Sequence, residues 1–235
     1  MKINKIFAIA FAFICLLGTS ANVKAQESST LSMTVGADVT NKYLWRGMEL
    51  AKGSFQPSAY LNYEKGDWAV SVGAWGTKAF KKDEFNEFDL SAELSWKNLT
   101  FSVTNYREYY GSEFDDNYLD LGLSWTLSEN IPLTLSWYSI VNQTNCPSYL
   151  ELSYEQSVSV IDLKAAVGIL PFKAPDYYGN DKFEVCNLNL SAGHEFELND
   201  KMSIPVSAQI MYNPMIEDFY WSVTGGFYFT FDLKK

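Results

Sequence analysis

L-S-M-T-V-G-A-D-V-T, from Leu31 to Thr40, decides the fold. Leu31, Met33, Val35, Ala37 and Val39 form one phase, and Ser32, Thr34, Gly36, Asp38 and Thr40 form the other. Side chains alternate between the two faces of a strand, so this segment has one oily side and one small, polar side. We read the strand as continuing past Tyr43 and Trp45 to about Gly47.

The same period of two recurs along the chain. The oily phases run from Phe55 to Tyr63, Trp68 to Ala74, Phe88 to Trp96, Leu99 to Val103, Leu119 to Leu127 and Leu133 to Trp137. They continue from Leu150 to Tyr154, Ile161 to Ile169, Leu188 to Leu198, Met202 to Tyr212 and Trp221 to Phe231. This predicts an all-β chain of about 12 antiparallel strands, an even number as single-chain bacterial barrels have. The connections alternate in length. Tight turns are expected at Lys65 to Asp67, Lys97-Asn98, Ser128 to Pro132, Glu155 to Ser157 and Asn199 to Lys201. Longer loops are expected at Met48 to Gly53, Lys78 to Asn86, Gly111 to Asp116, Asn142 to Pro147, Leu170 to Lys182 and Asn213 to Asp218. Short turns in the periplasm and longer loops outside are the pattern of a transmembrane β-barrel in the bacterial outer membrane.

Composition agrees. Aromatic residues make up 16% of the chain, yet mean hydropathy is −0.13. Aromatics gather at the ends of the oily phases, including Trp68, Trp96 and Trp125 at the turn ends and Tyr43, Trp45 and Trp221 at the loop ends. Two such rings describe the girdles at the membrane interfaces. A soluble barrel or sandwich would place its oily phase inside, but the second phase here is too polar for a surface-shielded core.

Lys2 and Lys5 precede an apolar run from Ile6 to Leu17, and Val23 and Ala25 occupy the small-residue cleavage positions. We expect a secretory leader over 1–25 and a single barrel domain over 26–235, with cleavage after Ala21 as the alternative. Ile14 is too large for a lipobox before Cys15. Loss of Lys2, Lys5 and Lys24 leaves 15 basic against 28 acidic residues, a net of −13. That balance argues against nucleic acid as a partner and against a basic face held to anionic lipid. The barrel pattern makes outer-membrane lipid the expected surroundings, and the acidic inner phase points to a cation or small polar solute. Cys146 and Cys186 lie toward the same end of the barrel, and both a disulfide and two free thiols stay open. No cofactor or metal pattern is present in the sequence.

The polar phase makes a pore lining that is mostly acidic: Asp38, Glu64, Glu87, Asp89, Glu93, Glu108, Asp120, Glu151 and Asp162, with Arg46 and Lys164 as basic members. Rings of carboxylates in water favour cations. Arg46 reads as a filter charge or as a partner for nearby carboxylates, and we favour the pairing role. Tyr60, Trp75, Tyr106, Tyr138 and Tyr149, with loop residues Tyr177 and Tyr178, could stack on a solute or simply fill the bore. His194, the only histidine, falls in the lipid-facing phase without a nucleophile motif around it, which leaves a lipid enzyme as the weakest reading.

Two resemblances add to this. T-G-G-F-Y-F-T-F, from Thr224 to Phe231, is similar to the signal read by the outer-membrane barrel-assembly machinery, with Thr224, Gly226, Phe229 and Phe231 at the pattern positions. Asp232 to Lys235 follow it, whereas the pattern normally ends a chain. V-T-N-K-Y-L-W-R-G (Val39 to Gly47), Pro57 and V-G-A-W-G (Val72 to Gly76) resemble the TorF-type putative porins. That resemblance implies an outer-membrane barrel and a channel, with no solute assigned. The expectation is a passive, mildly cation-preferring porin; the alternative is a non-conducting structural or surface-interaction barrel.

Overall fold

The computed structural model describes residues 29–110, 113–128 and 130–234; the expected leader and Gly111 lie outside them. Its strands are β1 (Ser29–Thr40), β2 (Tyr43–Trp45), β3 (Met48–Ala51), β4 (Ser54–Lys65), β5 (Trp68–Ala79), β6 (Asn86–Trp96) and β7 (Leu99–Tyr110). Then come β8 (Glu113–Ser128), β9 (Ile131–Ile140), β10 (Ser148–Val158), β11 (Ile161–Leu170), β12 (Glu184–Asn199), β13 (Met202–Asn213) and β14 (Asp218–Lys234). Twelve of them form a closed antiparallel barrel in which β1 pairs with β4 on one side and β14 on the other, while β2 and β3 form a separate two-stranded sheet. Closure leaves no strand edge, which is the condition for a sheet to sit in hydrocarbon.

The oily phases face outward. Leu94, Leu123, Leu135, Leu152, Val167, Leu190, Ile210 and Val223 are all exposed on the barrel wall. An apolar surface of that extent belongs against lipid rather than water. Trp68, Trp96, Trp125 and Trp221 are also exposed, and the first two stack with ring centroids 6.0 Å apart.

Inside, bulky rings lie over glycines of the next strand. Gly36 faces Tyr228 in register, Gly73 faces Tyr60 and Gly122 faces Tyr138. A Cβ at Gly36 would stand 2.4 Å from the Tyr228 ring, and one at Gly73 would stand 2.2 Å from the Tyr60 ring. Each ring thus covers backbone that glycine leaves bare. Tyr228 also donates to Asp38 at 2.7 Å, holding that carboxylate against the wall.

The structure corrects three boundaries. The first strand ends at Thr40 rather than near Gly47. There Asn41 leaves the sheet: its side-chain oxygen accepts from the Val223 amide at 2.6 Å, capping the departure. The turn expected at Glu155 to Ser157 is strand, and the chain reverses at 159–160. Glu155 pairs with Lys164 at 2.9 Å and Ser157 donates to Asp162 at 2.5 Å, so residues that read as turn-like are lumenal cross-strand partners. Finally, β8 begins at Glu113, so most of the loop expected at Gly111 to Asp116 is strand.

The seam places Phe229 opposite Val35 and Phe231 opposite Met33 on the outer face, with Thr224 and Gly226 opposite Thr40 and Asp38 on the inner face. The strand does not stop at Phe231. Asp232 pairs with Ser32 and Lys234 with Leu31 across a register shift, so the trailing residues extend the seam. Gly36→Ala should push on the Tyr228 ring and the Phe227 carbonyl and lower stability by about 1–3 kcal/mol. The expected readout is a lower temperature at which the folded band is lost in semi-native electrophoresis.

Candidate functional site

Residues 41–53 join β1 to β4, and their hairpin folds back into the lumen rather than standing outside. Its turn is Arg46-Gly47, between Trp45 and Met48 in register. Both turn residues have positive φ, 44° and 89°, as a two-residue type I′ turn requires. Glycine suits the second position on two counts. Besides the φ, a Cβ there would lie 2.1 Å from the Cys186 carbonyl oxygen. Asn213 latches the same tip by donating to the Gly47 carbonyl at 3.0 Å.

Arg46 reaches across the bore from this turn. Its Nη2 donates to Asp120 on β8 at 2.5 Å and its Nη1 to the Tyr178 hydroxyl at 3.1 Å. The guanidinium carbon lies 4.5 Å from the Trp45 ring centroid, 4.4 Å from that of Tyr138 and 5.2 Å from that of Tyr149. Both partners of the ion pair are buried, with side chains 8% and 3% exposed. Tyr106 donates a further hydrogen bond to the same Asp120 oxygen at 3.1 Å. Removing one partner of such a pair leaves an uncompensated buried charge, at a cost of about 3–5 kcal/mol.

Around this centre the mouth is packed. Trp45 contacts Tyr106, Tyr177 and Tyr178 at ring-centroid distances of 5.7, 6.5 and 6.3 Å. Tyr177 and Tyr178 come from the loop at 171–183, whose Ala174 and Asn180 form an isolated bridge. Burial pushes the Tyr178 phenol up, with the Arg46 charge pulling the other way. At the hairpin's base, Tyr43 donates to Glu87 at 2.9 Å and packs against Trp75 at 5.3 Å. Leu50 and Ala51 join Ala79 and Phe85 in a small apolar cluster, and Lys42 is paired with Glu49.

This corrects the reading of Tyr43 and Trp45 as interface aromatics: both are drawn inside because the hairpin carries them over the bore. It also changes what several tyrosines do. Tyr138 and Tyr149 hold Arg46, and Tyr60 covers Gly73, so these faces are already used.

Several of the lumenal acids fall into two sets. Near the loops, Glu87, Asp89 and Asp120 are buried, and Glu108 sits directly opposite Glu87 in register. Toward the turns, Glu64, Glu93 and Asp162 are exposed. There a cavity of about 430 Å³ is bounded by Asp162, Lys164, Ser191, Ser207 and Gln209 among others. Lys164 lies between Glu151 and Glu155 at 3.8 and 2.9 Å, and Glu151 also accepts from Tyr149 at 2.6 Å. The acids near the loops are thus packed among protein groups, while those toward the turns meet solvent.

His194 lies apart from the lumen. His194 Nδ1 is 2.6 Å from the Val160 carbonyl and its ring stands 4.3 Å from Phe196, at the turn end of the wall. Cys146 is exposed and Cys186 buried, both as free thiols.

The sequence carried one signal of the hairpin. Tyr-Leu-Trp, Arg-Gly, Met-Glu-Leu is a pair of short apolar runs around a two-residue turn ending in glycine. Cys186, under the turn, reports its position. In the folded barrel, of Cys146 and Cys186 only Cys146 should react with a thiol reagent. Arg46→Ala or Gly47→Ala should expose Cys186 as a second reactive site, counted by mass spectrometry.

No protein-family model matches the chain, nor does any curated protein. Among solved structures, it is similar to an outer membrane channel from Pseudomonas putida F1, at 8% identity and TM-score 0.42, covering 90% of this chain and all of that one. It is also similar to a bacterial polysaccharide outer membrane secretin, at 10% identity and TM-score 0.44, covering 87% and 99%. A mutant of the Rh. blastica porin matches at 11% identity and TM-score 0.35, covering 88% and 100%.

Proposed function

We propose that the chain is an outer-membrane channel for small cations or small polar solutes, constricted at the extracellular mouth by the Tyr43–Ala51 hairpin. The observation that carries this reading is the division of the lumen. Exposed Glu64, Glu93 and Asp162 lie at the turn end, and a hairpin held by side-chain contacts fills part of the other. Exposed acids in a hydrated bore favour cations over anions. In this reading the exposed tryptophans sit at the membrane interfaces, the β14 pattern is read by the assembly machinery, and the resemblance to TorF-type porins extends to a transport role.

The dense packing around Arg46 favours a second reading, a non-conducting barrel whose outer loops contact other molecules. A lipid enzyme has less support, because His194 is engaged by the Val160 backbone carbonyl and has no nucleophile motif around it.

Planar-bilayer recording separates the two main readings. Wild type should give small or infrequent conductance steps, and Arg46→Ala should raise step size or open time several-fold with cations preferred. Folded Arg46→Ala barrels that never conduct would leave the non-conducting reading standing. Replacing Glu64 and Glu93 by Gln should shift the reversal potential in a salt gradient toward zero; an unmoved potential would assign those acids to the scaffold.

A further inference from the structure

The loop end of the wall carries a patch whose charge runs against that of the chain. Lys52 lies in the link between β3 and β4, Lys78 near the end of β5, and Lys81 and Lys82 in the connection to β6; all four are exposed. Local bonding gathers them. Lys78 is opposite Phe55 in register, and beside that pair the Phe80 amide donates to the Gly53 carbonyl at 2.9 Å, tying the two connections together. The Phe80 ring lies over Gly53, where a Cβ would stand 2.9 Å from it. Among the described residues none of these four lysines forms an ion pair, whereas Lys42, Lys173 and Lys182, also near the loops, each have a carboxylate partner. Asp83 and Glu84 share the connection after β5, but Glu84 Oε2 is buried, so Asp83 is the exposed acid there.

Oily rings accompany the charges. Phe55 and Phe80 are 43% and 63% exposed, and Phe55 shares the outer face of the wall with Lys78. In water, gathered ammonium groups repel one another and bare phenyl rings are unfavourable. At the edge of a bilayer both costs fall, because the rings enter the acyl layer while long lysine stems carry their charges to the headgroups. A soluble anion would meet the lysines and leave the rings in water, so the pairing of rings with cations favours a lipid. A zwitterionic head brings no net charge to offset four cations, whereas an anionic phosphate head does. The acidic balance of the whole chain averages over this patch and conceals it.

We propose that this sector of the wall binds the headgroup of an anionic, phosphate-bearing lipid in the leaflet at the loop end. The ammonium groups of Lys52, Lys78, Lys81 and Lys82 donate to phosphate oxygens, and the acyl chains lie against Phe55 and Phe80. The inference needs a barrel in lipid and no conduction through it. Native mass spectrometry of the folded barrel tests it, with uncharged detergent micelles holding equal amounts of phosphatidic acid and phosphatidylcholine of the same chain length. Wild type should retain phosphatidic acid at least about fivefold over phosphatidylcholine. Lys52→Gln, Lys78→Gln, Lys81→Gln and Lys82→Gln combined should bring that ratio to roughly one, and Arg at the same four positions should preserve it. Lys65→Gln, Lys97→Gln and Lys201→Gln combined, at the turn end, should leave the preference intact. Each variant is first confirmed folded by semi-native electrophoresis. Equal retention of the two lipids by wild type, an undiminished preference after the loop-end Gln substitutions, or the same loss from the turn-end ones would overturn the proposal.

Discussion

Backbone hydrogen bonding in hydrocarbon governs this molecule. A sheet exposed to lipid tolerates no free edge, so β1 must meet β14 and the wall must close. Closure turns the polar phase of every strand inward, where a side chain must either meet water or find a partner. The two halves of the bore are two answers to that demand. Toward the turns the acids stay in water; toward the loops the protein supplies partners of its own, chiefly by sending a hairpin back into the bore.

The hairpin persists because opposing costs are met at one residue. Arg46 has a positive φ, unfavourable for a side chain with a Cβ, and its charge is withdrawn from water. Asp120, Tyr178 and three aromatic rings surround that charge. The pair provides register more than net stability, since a buried ion pair gains little over an apolar substitute. Its contribution is geometric: the pair joins the hairpin tip to β8.

Most of the wall was legible in the sequence because a period of two is local. Each phase, from Leu31 to Val39 through to Trp221 to Phe231, announces its own strand, and the even strand count and alternating connections then fix the topology. The inward identities of Asp38, Glu87 and Asp120 follow from the same parity. The hairpin was not legible in this way. Tyr43 and Trp45 keep the parity of β1, so alternation alone extends that strand through them; only Arg-Gly between apolar runs marks the turn. Its direction depends on Asp120, Tyr138, Tyr149 and Tyr178, which lie far along the chain and carry no local sign of a shared partner. The turn at 159–160 was misplaced for a related reason: Glu155 and Ser157 look like turn residues because a wet lumen selects the same chemistry.

The position of the Arg46 pocket in the chain has a kinetic consequence. Its walls come from β7, β8, β9 and β10 and from the loop at 171–183, all made after the hairpin itself. The docked arrangement therefore has no binding site until most of the cylinder exists. Long-range contacts of this kind form slowly, so docking belongs to the end of folding, after β7 to β10 have assembled. A nascent barrel would pass through a stage with its wall largely built and its mouth still unobstructed.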